Sequence, residues 1–122
     1  MKIDRKLIFD KYNGHCAYCG CELKNGFQVD HLNCQSNFDY LLRNKKIPEH
    51  IKKLNCIENL MPSCGSCNNY KSVHSLEQFR NELMHMRKRL NERSTHYKIS
   101  KRFGLIQEVD KPIIFYFETQ TI

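Results

Sequence analysis

The chain has 122 residues, 40% of them hydrophobic, and a formal net charge of +7. That is the size of one domain with one modest core. The longest apolar run, Ile113 to Phe117, is too short to span a membrane, and the charged N-terminal stretch reads as no signal peptide. The basic balance favours an anionic partner such as nucleic acid. Seven cysteines with no export signal favour metal binding in a cytoplasmic protein over disulfides.

In chain order, residues 4–13 predict a short helix. Asp4 is a natural N-cap, Leu7, Ile8 and Phe9 supply apolar faces, and Gly14 stands where a C′ glycine belongs. Residues 15–26 are rich in Gly and Cys and read as a tight knuckle and turn. Phe27-Gln28-Val29 alternates, predicting a strand that ends at Asp30-His31. Residues 37–54 look helical, interrupted before Pro48. Ile57 to Met61 reads as a second strand, stopped by Pro62. A helix follows Cys67, and Ser75 with Gln78 has capping-box spacing for its continuation or restart. Leu76, Phe79, Leu83, Met86 and Leu90 then recur on one helical face, most simply a core stripe. A further helix near 95–103 ends at Gly104, and Ile113 to Phe117 reads as a strand that packs.

Cys16-Ala17-Tyr18-Cys19 and Cys64-Gly65-Ser66-Cys67 are two CxxC pairs. A two-residue spacer lets both thiolates of a pair face one ion, and two such knuckles close a tetrahedral sulfur site suited to structural zinc. Cys21, Cys34 and Cys56 are left over as ordinary thiols, and His50, His85 and His96 read as surface residues. The positive charge is concentrated in residues 43–53 and 70–102, which carry net charges of +4 and +6. These segments flank the Cys- and His-rich middle, as a phosphate-binding surface would.

The ordered set Cys16, Cys19, Asp30-His31, Glu58-Asn59-Leu60 and Cys64-x-x-Cys67-Asn68-Asn69-Tyr70-Lys71 resembles the HNH endonuclease family. This is the zinc-knuckle branch of the ββα-metal (His-Me finger) nucleases, and the chain is similar to its small stand-alone members from bacteria and their phages. Asn68 stands where the family's last letter is His, a pattern shared with the HNH domain of RNA-guided effector nucleases. The stretch between His31 and Asn59 is long, and its basic segment reads as an inserted helix or lid.

The resemblance implies an α+β fold with a ββα-metal core, a CxxC…CxxC structural zinc site and flanking helices. It would be one nuclease domain over 1–122, with its core at about 14–93 and a C-terminal extension over 94–122. It implies a metal-dependent hydrolase of DNA phosphodiesters. His31 would be the general base, a task that an imidazole suits at neutral pH. Asp30 and Asn68 would hold one Mg²⁺ or Mn²⁺, and Asn59 would orient the His31 loop. Lys71 would contact phosphate or the scaffold, with Arg80, Arg87, Lys45 and Lys46 on the nucleic-acid side. The substrate would be double-stranded DNA, and strong sequence specificity would require a dimer or a partner protein. The alternative is a non-catalytic, zinc-stabilised DNA-binding module, for which Asp30, His31 and Asn68 would be dispensable.

Overall fold

A computed structural model describes residues 3–34, 38–48, 51 and 53–120. It is an α+β arrangement of short helices around one two-stranded sheet, and it divides into two compact units, Met1–Leu76 with Ile114–Ile122, and Glu77–Ile113.

The first unit opens with α1 (Arg5–Asp10), whose N-cap Asp4 accepts from the backbone N–H of Lys6 and Leu7, satisfying two of the orphan donors of the first turn. Helix α1 is shorter than expected, and Gly14, at φ +78°, follows it in the left-handed region. Strand β1 (Gln28–His31) pairs antiparallel with β2 (Leu60–Ser63), placing Asp30 opposite Met61 and His31 opposite Leu60. The second strand therefore lies later than expected, and Ile57–Asn59 form a single 3₁₀ turn before it. Pro62 sits inside β2 rather than ending it, opposite Val29. In a two-stranded sheet each strand has an outer edge where a missing N–H costs nothing. The Pro62 carbonyl accepts from Ala17 N at 2.8 Å, so this position of β2 is tied to the knuckle.

Ile8, Phe27 and Leu60 form one buried cluster beneath α1 and the sheet. Among the described residues between the strands there is one α-helix, α2 (Phe38–Arg43), and Phe38, Ile47 and Ile51 form a small buried cluster there. Lys45 adopts a left-handed φ of 55° just after α2, which closes the expected long helix early. His50, Lys52 and the predicted helix start at residue 37 lie outside the described residues. Helix α3 (Gly65–Lys71) starts at the N-cap Cys64, and Ser72, at φ 48°, ends it. The expected strand at 113–117 is instead an extended Phe115 leading into one helical turn, α7 (Tyr116–Thr119). Tyr116 N and Phe117 N donate to the carbonyls of Tyr18 and Ala17. The ring of Phe115, 1% exposed, meets Tyr18 edge-on. These groups are satisfied by the knuckle, so no sheet ladder forms.

The second unit contains most of α4 (Leu76–Met84), then α5 (Met86–Arg93) and α6 (Thr95–Arg102). The helix breaks at His85, so the expected apolar stripe is split between two helices: Phe79 is buried, whereas Leu90 is exposed. Helix α6 is capped at Ser94, whose hydroxyl accepts from Tyr97 N. It ends in a Schellman turn, with Leu105 N donating to Ser100 O and Gly104 N to Lys101 O. Glu108 ties this unit together by accepting from Asn91 Nδ2 and Tyr97 OH and pairing with Lys101 Nζ. Hydrogen bonds from Asn91, then Tyr97 and Lys101, hold its carboxyl down at about 2. Among the described residues no helix is long and apolar enough to cross a membrane.

Candidate functional site

The two CxxC pairs are brought together by the sheet. Cys16 N donates to Cys21 O, and Gly20, at φ +81°, turns the chain back with its N–H on Cys16 O. A side chain at Gly20 would meet the Tyr116 ring 2.8 Å away, so the residue is needed for both its φ and its size. The second pair straddles the start of α3, and Cys64 Sγ accepts from Cys67 N. The four Sγ atoms of Cys16, Cys19, Cys64 and Cys67 all lie within 4.8 Å of one another. Cys19 Sγ and Cys64 Sγ are 3.8 Å apart. Thiolates at about 2.3 Å from a tetrahedral zinc stand about 3.8 Å from each other, so the cluster could hold a metal such as zinc. The crowding also polarises the thiols. A hydrogen bond from Cys67 holds Cys16 down at about 4, while the same contact pushes Cys67 up. Four sulfurs this close cannot all ionise without a cation between them. Cys21, expected to be a bystander, turns its thiol toward Cys19 and Cys64.

Beside this cluster, β1 ends in Asp30 and His31. Asp30 is buried, and its Oδ2 accepts from the Tyr18 hydroxyl and pairs with Lys71 Nζ at 2.9 Å. Burial, reinforced by the negative charge of Asp30, pushes the Tyr18 phenol up, so Tyr18 remains a donor. Lys71 is completely buried and also donates to the His31 carbonyl at 3.0 Å. Of the two roles expected for Lys71, the geometry supports the scaffold one, because its ammonium has no surface from which to meet a phosphate. Asn68 lies one turn before Lys71 on the same helix, hence on the same face. The His31 ring is half-buried, with Nε2 2.7 Å from Asn55 Oδ1.

Asn59 is fully buried. Its Oδ1 accepts from Asn33 N and Asn33 Nδ2, and its Nδ2 donates to Leu54 O and Asn33 O. Its own carbonyl accepts from Leu32 N at 2.8 Å. One amide thus clamps the loop leaving β1 to the segment entering β2.

The expected basic contributors separate into two groups. Arg80 is bound to Glu77 and donates to Ile113 O at 2.6 Å. Arg87 is bound to Asp110 and Val109 O, with Glu108 near it. Both guanidinium groups expected on the nucleic-acid side thus hold carboxylates and carbonyls of their own unit. Lys45 and Lys46 are exposed. Tyr18, Asn33 and Asn55 were not singled out in the sequence, and only Tyr18, lying within a CxxC, carried a signal there. Comparison with known protein families, with curated proteins and with solved structures returns no match.

Proposed function

We propose that the chain is a metal-dependent endonuclease that hydrolyses DNA phosphodiesters, with β1, β2 and α3 as a ββα-metal core of the HNH type. The observation that carries this reading is the double hold of Lys71 Nζ on Asp30 Oδ2 and the His31 carbonyl. It ties the helix that begins at the cysteine cluster to the strand end bearing the Asp-His pair. Zinc at the four thiolates is structural, because sulfur fills every position of a closed tetrahedral site.

The residues at the strand end fit a second, hard cation, Mg²⁺ or Mn²⁺. Asp30 Oδ2 is occupied, but Oδ1 has no partner among the described residues. None of their buried side-chain oxygens lacks a hydrogen bond, so Oδ1 reaches the surface. The Asn68 side-chain amide is likewise engaged by none of the described residues. A carboxylate and an amide oxygen suit such an ion. When bound, it supplies charge compensation at the phosphate and the leaving oxygen. His31 takes the proton of the attacking water, Asn59 fixes the loop behind it, and Lys45 and Lys46 meet backbone phosphate. The products expected from the resemblance are a 5′-phosphate and a 3′-hydroxyl.

One observation favours the non-catalytic DNA-binding module as a second reading: the ion pair with Lys71 already gives Asp30 a structural task. Plasmid cleavage in Mg²⁺ or Mn²⁺ separates the two. The nuclease reading expects cleavage by the wild type and a loss of about 10²-fold or more in His31→Ala. Salt-sensitive DNA binding with no cleavage under any divalent ion would establish the module instead.

A further inference from the structure

Resting on the nuclease reading, we infer that Asn55 is a positioning residue for His31, selecting which ring nitrogen receives the proton of the attacking water. His31 Nε2 lies 2.7 Å from Asn55 Oδ1. An amide oxygen only accepts, so Nε2 must carry the hydrogen it shares. In the neutral ring the lone pair is then confined to Nδ1, since the hydrogen bond at one nitrogen sets the state of the other. A base whose second nitrogen is oriented by a third group is the general logic of an activated water or nucleophile.

The rest of the ring's surroundings is consistent with this assignment. The backbone of His31 is fixed independently, by pairing with Leu60 in the sheet and by Lys71 on its carbonyl. The strand thus sets where the ring starts, and Asn55 sets its rotation and tautomer. Asn55 is in turn placed by its neighbours: Leu54 O is held by Asn59 Nδ2, and Asn59 N donates to Cys56 O. The buried Asn59 clamp and the ring's partner therefore belong to one short segment. Asn55 touches neither phosphate nor cation in this assignment and acts only through the imidazole.

The test uses the full zinc-loaded chain labelled with ¹⁵N-histidine, with His31 signals assigned by their loss in His31→Gln. At about pH 8.5, where an ordinary histidine is neutral, long-range ¹H–¹⁵N correlations should show His31 as the Nε2–H tautomer. Asn55→Ala should give a mixture of tautomers and lower kcat about 10–100-fold, with KM for a duplex within about twofold of wild type. Asn55→Asp, which keeps an acceptor at the same reach, should restore the single tautomer and most of the rate. Melting curves of each variant identify any that fails to fold, and Asn55→Ser then takes its place. A wild type that cleaves, beside an Asn55→Ala that cleaves equally fast with the tautomer unmoved, overturns the positioning role alone. A wild type that cuts nothing overturns the nuclease reading and this role together.

Discussion

Lys71 and Asp30 meet 2.9 Å apart, the lysine side chain wholly out of solvent and the aspartate 8% exposed. The Lys71 ammonium has no water to fall back on and Asp30 meets solvent only at its edge, so the lysine depends on this carboxylate. Lys71→Ala should therefore destabilise the fold by about 3–5 kcal/mol, measured by urea unfolding of the metal-loaded chain. Lys71→Ala combined with Asp30→Ala should cost less than the sum of the two single changes. Additive losses would mean that the two side chains do not compensate each other.

The cysteine cluster makes a stoichiometric prediction. The purified chain should hold one zinc, and Cys64→Ser or Cys16→Ser should lower its occupancy and the folded fraction together, because metal-binding energy at such sites of about 10–16 kcal/mol is folding energy. Cys21→Ser should leave the stoichiometry at one. Elemental analysis alongside circular dichroism checks both, and a chelator should reproduce the loss of structure in the wild type.

Asn59 has a role that a smaller side chain cannot fill. Its amide satisfies Asn33 N, Asn33 O and Leu54 O in a fully buried position. Asn59→Ala should cost about 2–4 kcal/mol, as more than one of these backbone groups loses its partner. Hydrogen exchange should localise the loosening to residues 32–34 and 54–56.

In the second unit, Glu108 predicts an acid-side transition. Its folded carboxyl, at about 2, lies below the ordinary 4.5. The contribution is therefore fully present above the unfolded value and is lost as pH falls through the folded one. The stability of the wild type should decline between about pH 4.5 and 2, and Glu108→Gln should flatten that decline. Chemical denaturation at a series of pH values reads the difference.

Much of the candidate site was legible because it is local. Two-residue spacers bring thiols of a pair together whatever the rest of the chain does, and Asp30-His31 ends a strand whose alternation is visible in five letters. The remainder depends on distant partners. Lys71 reads as a contact to phosphate or to the scaffold, and the choice needs Asp30, some forty positions earlier, to be found beside it. The acceptors that Arg80 and Arg87 hold, Ile113 O and Asp110, lie beyond α6, out of reach of any local pattern. Asn55 carries no signal at all, since its value arises from where the segment before β2 places it. The predicted strand at 113–117 failed because its backbone donors pair with Tyr18 and Ala17, and periodicity is silent about such docking.

The seating of residues 115–117 on the first knuckle also orders events in time. The ribosome releases Tyr18 before the ring that meets it, Phe115, which emerges only after roughly a hundred more residues, about 5–20 s later at ordinary synthesis rates. Until then Tyr18 lacks this partner, and for about half of that interval Cys16 and Cys19 also lack Cys64 and Cys67. The nascent chain therefore passes through a stage with a lone CxxC pair, and the carbonyls of Ala17 and Tyr18 gain their partners only once residues 116 and 117 have emerged.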